Sequence, residues 1–179
     1  MAEKIFYTDR LMLREISEKE WDNYYKHVTE ADEIFVQYGY EPTEKLLEYI
    51  QEPTPDVIYY SIILKENQKM VGYIGIPEYN SNIEYYIFPE HRRNGYCLEA
   101  LKNFIDLYLD GKITENNFDS VVAEIIMKNE ASINMVIKAG FKKQSIGCSF
   151  GYKDEKKEEI CPQTWMCIYE YSKKEERKI

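Results

Sequence analysis

Between Pro89 and Cys97 the chain reads Pro-Glu-His-Arg-Arg-Asn-Gly-Tyr-Cys, with a histidine and two arginines just ahead of a glycine that opens a helical stretch. That order suits an anion. A helix N-terminus leaves backbone N–H groups without partners and carries the positive end of the helix dipole. A glycine there lets a ligand approach the backbone, and arginines add charge-assisted donors. Arg92, Arg93, Asn94, Gly95, Tyr96 and Cys97 thus read as a pyrophosphate cradle, or else as a turn with solvated charges. The stretch is neither a G-x-x-x-x-G-K-[ST] phosphate loop nor a G-x-G-x-x-G dinucleotide loop. A second patch, Asn129-Glu130-Ala131-Ser132-Ile133-Asn134, opens a later helix. Asn129 either caps that helix or bonds a ligand amide.

Other chemistries find little support. The four cysteines form no C-x-x-C pair, and only two histidines are present. No structural zinc site is expected, and a Ser-His-Asp or Cys-His hydrolase reading is weak. The cysteines read as reduced thiols of a cytoplasmic protein. No apolar signal core or membrane span is expected. With 32 acidic against 23 basic residues the formal charge is −9, which argues against nucleic acid as a partner and mildly favours cationic ones.

The elements that would position these residues follow from periodicity. Arg10–Arg14 alternates as a strand. Ser17 and Glu20 form a capping box, with Ile16 and Trp21 as its hydrophobic staple, ahead of a helix carrying Trp21, Tyr24, Tyr25 and Val28. A second helix is expected from Thr43 to Ile50, ended by Pro53 and Pro55. Val57–Leu64 and Met70–Ile76 read as a hairpin, and Ile83–Phe88 as a further strand closed by Pro89. Then come a helix from Gly95 to about Leu109, a strand Val121–Met127, and a helix Ala131–Ala139 stopped by Gly140. Strands Phe141–Tyr152 and Thr164–Tyr171 flank a charged tip, Lys153–Glu159. The 179 residues show no linker or repeat and suit one domain, with 172–179 as a charged tail.

Read together, these motifs resemble a family. Arg92-Arg93-Asn94-Gly95-Tyr96-Cys97 is similar to the [QR]-x-x-G-x-[GA] acyl-CoA loop of the GNAT N-acetyltransferases. The run from Asn129 through Ser132, Lys138 and Gly140 to Phe141 resembles their N-x-x-S-x-x-x-x-x-K-x-G-F signature. Thr8-Asp9-Arg10-Leu11-Met12-Leu13-Arg14 is similar to the T-x-R-L-x-L-R start of the RimJ/RimL-type branch, and Ile83–Glu90 to that branch's strand before the loop. The resemblance covers residues 8–171. Two departures stand out: Cys97 replaces the usual Gly or Ala and is potentially reactive, and Val136 stands where many members carry a tyrosine acid.

The resemblance implies an α/β (α+β) fold: a mostly antiparallel central sheet of six to seven strands, about four helices, and a splayed parallel strand pair that binds acyl-CoA. It implies acetyl-CoA as cosubstrate, without a metal. Backbone N–H groups of Arg93–Cys97 would hold the pyrophosphate, Ile87 or Phe88 would supply an N–H to the thioester carbonyl, and Asn129 and Asn134 would contact the coenzyme. Direct attack by an amine needs a base and an acid. Glu84, a carboxylate in an otherwise apolar strand, is either that base or an exposed strand residue. Ser132 is either the acid or an ordinary first-turn serine. The acceptor would be a peptide N-terminus, a polyamine, an amino acid or an aminoglycoside. The alternative is a non-catalytic acyl-CoA-binding or regulatory module. A bacterial source, and a monomer or homodimer, are expected.

Overall fold

The computed structural model describes residues 4–28, 57–77, 80–115, 118–148, 152–153, 159–161 and 164–173. Five strands form one antiparallel block in chain order: β1 (Ile5–Tyr7), β2 (Leu11–Glu15), β3 (Val57–Leu64), β4 (Met70–Pro77) and β5 (Glu84–Ile87). A second block of three has the order β6 (Ser120–Ile126), β10 (Trp165–Ser172), β7 (Lys142–Cys148), all antiparallel. β8 (Tyr152–Lys153) and β9 (Glu159–Cys161) make a small separate hairpin. Three α-helices are described: α1 (Glu18–Val28), α2 (Tyr96–Leu109) and α3 (Glu130–Ala139). The expected helix at Thr43–Ile50 lies outside the described residues.

The six- to seven-strand sheet expected from sequence is thus eight strands in two blocks. β1 went unread because three residues carry too little periodicity. The expected strand Phe141–Tyr152 ends at Cys148, and its last residue opens the β8–β9 hairpin. Among the described residues the blocks are bridged at one point. Asn82 and Val122 form a parallel bridge, in which the Ile83 N–H donates to the Val122 carbonyl (2.8 Å) and the Val122 N–H to the Ser81 carbonyl (2.8 Å). Beyond it β5 and β6 part, which is the splayed parallel pair.

α2 lies across one face of the larger block. Its Leu101, Phe104, Ile105 and Tyr108 are buried against Leu11, Leu13, Tyr60, Ile62, Ile74 and Ile76, and Phe104 meets the Tyr60 ring edge-on at 5.7 Å. α1 serves the opposite face, where Trp21 packs edge-on against Tyr59 at 5.6 Å. The capping box holds in part: Glu20 accepts from the Ser17 N–H (2.9 Å), while the Ser17 hydroxyl donates to the same carboxylate (2.6 Å) rather than capping a backbone group.

Candidate active site

The Arg92–Cys97 stretch forms the turn between β5 and α2. Arg93 (φ 67°) and Gly95 (φ 78°) are both left-handed. Gly95 is the N-cap of α2 and supplies no side-chain cap, so the first-turn N–H groups face out of the helix toward whatever binds there. Asn94 is a loop brace: its amide donates to the carbonyls of His91 (3.1 Å) and Arg92 (3.0 Å). Arg92 turns back onto the strand, donating to the Ile87 carbonyl (2.9 Å), with its guanidinium 5.2 Å from the centre of the Tyr86 ring. Arg93 is the exposed arginine of the pair.

The turn is clamped from a distance in sequence. Arg10 donates to the Asn94 carbonyl (2.9 Å), pairs with Glu99 of α2 (2.7 Å), and covers the Tyr96 ring at 4.8 Å. Thr8 donates to the same Glu99 carboxylate (2.5 Å). These bonds hold the Glu99 carboxyl below the usual carboxylate range despite partial burial, which pushes it up. The opening Thr8-Asp9-Arg10 motif therefore serves the loop, a role that its position in the chain does not disclose.

Along β5 the residues divide by direction. The Phe88 N–H donates to the Val71 carbonyl (2.9 Å), so it is engaged inside the sheet and is withdrawn as a donor to a thioester carbonyl. Alternation turns the N–H groups of Tyr85 and Ile87 toward the β6 side, where Ile83 makes the last bond before the strands part. The side chains of Glu84 and Tyr86 share one face with Tyr59 and Tyr73. Tyr85 and Ile87 share the other with α2.

Glu84 accepts a hydrogen bond from the Tyr59 hydroxyl (2.5 Å). The residue is exposed, yet its carboxyl is surrounded by protein atoms. Desolvation raises its pKa, and the Tyr59 bond opposes the rise. On the other face the Tyr85 hydroxyl and Ser132 Oγ share a hydrogen bond at 3.0 Å, joining β5 to the first turn of α3 across the cleft. Burial keeps the Tyr85 phenol neutral far above neutral pH, helped by the nearby Cys97 sulfur. Of the 17 tyrosines in the sequence, Tyr85 is thus the one that meets Ser132. Asn129 caps α3, accepting from the Ser132 N–H (3.1 Å). Asn134 is exposed one turn further on. Cys97 is half-buried, and desolvation pushes its thiol up to about 12, which works against the reactivity that its loop position suggested. Among the described residues no group of three or more His, Cys, Asp or Glu could hold a metal ion, and no helix is long and apolar enough to cross a membrane.

The family model for the acetyltransferase (GNAT) domain matches residues 10–142, from the clamp arginine through both signature turns. The chain belongs to the GNAT acetyltransferase family. It is accordingly an acetyl-CoA-dependent N-acetyltransferase. Among GNAT relatives it is 25% identical over 163 residues to the N-acetyltransferase YoaA of Bacillus subtilis strain 168, covering 84% of this chain and 89% of that one. Solved structures share the fold at lower identity. The ribosomal-protein-S5-alanine acetyltransferase of Vibrio fischeri is 13% identical with a TM-score of 0.67, covering 94% of this chain and 96% of that one. The spermidine N-acetyltransferase of Vibrio cholerae, solved with CoA and spermine, is 13% identical with a TM-score of 0.65, covering 90% and 95%. The RimJ/RimL-like branch suggested by the opening motif is consistent with these neighbours.

Proposed function

We propose that this GNAT domain moves the acetyl group of acetyl-CoA onto the primary amine of a protein N-terminus or a small cationic molecule, with Glu84 as general base. The observation that carries the reading is the Glu84 carboxyl, bonded to Tyr59 within a row of aromatic rings, two residues from the point where β5 and β6 part. Acetyl-CoA supplies an activated acetyl group as a thioester. The residues present fit it. The uncapped start of α2 and the left-handed turn at Arg93 and Gly95 suit a pyrophosphate. The outward N–H groups of Ile87 and Tyr85 suit an extended amide-bearing arm and the thioester carbonyl. From Phe88 back to Glu84 the strand runs about 13 Å, enough to separate a phosphate end from a reacting end.

At the reacting end each proton has a group. Glu84 takes the proton of the incoming ammonium, its raised pKa bringing it nearer that of an amine. Half-buried Trp21 offers aromatic surface on the same face, backed by the buried rings of Tyr59, Tyr73 and Tyr86, which suits a cationic acceptor. The paired Ser132 and Tyr85 hydroxyls are placed to return a proton to a leaving thiolate. The acceptors named for the structural relatives, a ribosomal protein and spermidine, both carry amino groups and support the class while leaving the two kinds of acceptor side by side.

Calorimetry with acetyl-CoA, followed by thiol release on an alanyl peptide, spermidine, an amino acid and an aminoglycoside, tests the reading. Binding and turnover of at least one amine are expected, with Glu84→Gln lowering kcat about 100-fold or more at unchanged acetyl-CoA affinity. Folded protein that binds no acetyl-CoA would overturn it.

A further inference from the structure

Three strands line up one behind another at the base. Tyr59 of β3 sits opposite Gly75 of β4, and Gly75 sits opposite Glu84 of β5. Tyr59 and Glu84 are therefore two strands apart, about 10 Å across the sheet, yet the phenol hydroxyl donates to Glu84 Oε2. It spans that gap by lying over β4. A Cβ on Gly75 would fall 2.3 Å from Tyr59 Cδ1 and 2.7 Å from Cε1, so the missing side chain is the space the ring occupies. The ring is fixed there by edge-on contacts with Trp21 at 5.6 Å and Tyr73 at 5.7 Å and is only 4% exposed. The other carboxylate oxygen, Oε1, makes no hydrogen bond among the described residues.

We propose that Tyr59, seated in the slot left by Gly75, is the positioning residue of the reaction: its hydroxyl occupies one oxygen of Glu84 and aims the other at the acceptor's ammonium proton. This rests on Glu84 being the base. Two costs make the arrangement informative. A glycine inside a strand weakens it, and a buried phenol needs a partner; one bond accounts for both. The bond also favours the charged carboxylate, opposing the desolvation that disfavours it.

Other ionisable groups surround this face. Tyr73 stands next to Tyr59 and stacks on Tyr86, which carries the Arg92 guanidinium above it. The Arg14–Glu20 pair (2.7 Å) lies toward β2 and α1. Glu124 of β6 is two residues past the Asn82–Val122 bridge, as Glu84 is on β5. Among the described residues, Tyr59 alone is hydrogen-bonded to the carboxyl.

The sign is fixed by the chemistry. The base works ionised, so activity falls as pH drops through the Glu84 pKa. Removing a donor that favours the ionised form moves that loss to higher pH. Protein labelled with 13C at the glutamate carboxyls is titrated by NMR, with Glu84→Gln identifying the resonance. In Tyr59→Phe the Glu84 midpoint is expected to rise by about one pH unit. Gly75→Ala is expected to raise it too, and the double variant to match Tyr59→Phe, because both act through one bond. The acid limb of thiol release from acetyl-CoA, on the amine that turns over, is expected to move with it. An unmoved midpoint in Tyr59→Phe, with Glu84→Gln inactive, overturns the positioning role and leaves the base standing. Full turnover by Glu84→Gln overturns the base and the positioning role together.

Discussion

Desolvation raises the pKa of a carboxylate among aromatic rings and that of a half-buried thiol in the first turn of a helix; surroundings, rather than residue type, decide which one ionises. Glu84 remains ionisable because it is exposed and Tyr59 donates to it. Cys97 has neither help, and its thiol is pushed up to about 12. The thiolate is the reactive form, so at neutral pH Cys97 should be inert while exposed Cys148 reacts. Timed labelling with a disulfide reagent, resolved by peptide mass, is expected to modify Cys148 first and Cys97 only on unfolding. Prompt modification of Cys97 in the folded protein would contradict its raised pKa.

At the scale of elements, the working parts are a turn and a gap between strands. The turn needs left-handed backbone at Gly95 (φ 78°), and Arg10 reaches over from the β1–β2 connection to hold it. Arg10 is half exposed in its side chain, so its ion pair adds little to global stability. Arg10→Ala should therefore weaken acetyl-CoA binding about tenfold, the worth of one or two charge-assisted bonds, while the melting temperature barely changes. Asn129→Ala should do the reverse at α3: loss of the cap costs about 1 kcal/mol, visible in urea melts. Calorimetry and urea melts on the two variants separate a brace for the coenzyme turn from a brace for the fold.

Across the whole molecule, two sheet blocks share one bridge at Asn82 and Val122, and α2 and α3 pack against each other over the join. A ligand that bonds to both edges of the cleft therefore stabilises the blocks jointly. At a hundredfold excess over its dissociation constant acetyl-CoA should add about 2.7 kcal/mol. A rise in melting temperature is expected, with slowed hydrogen exchange at the facing edges of β5 and β6 and in the turn at 92–97. Protection confined to one block would show that the cleft is not spanned.

Much of this was legible in the residues. The Val57–Leu64 strand and the helix ending at Leu109 follow from local periodicity, and the coenzyme turn from a glycine at a helix start. The pairing of Asn129, Ser132 and Gly140 at fixed offsets marks the ends of α3, because caps are local chemistry. What sequence could not supply depends on contacts between distant segments. Thr8 and Arg10 meet Glu99 only after β2 docks beside α2. Tyr85 meets Ser132 only across the cleft. Tyr59 reaches Glu84 only because β3, β4 and β5 register with a glycine between them. The Phe88 N–H is spent on Val71, a matter of which way one strand's pleat points. Local patterning decided the elements and the class of ligand; register and packing decided which hydroxyl, which carboxylate and which N–H meet beside the cleft, since a hydrogen bond depends on distance in space and not on separation in the chain.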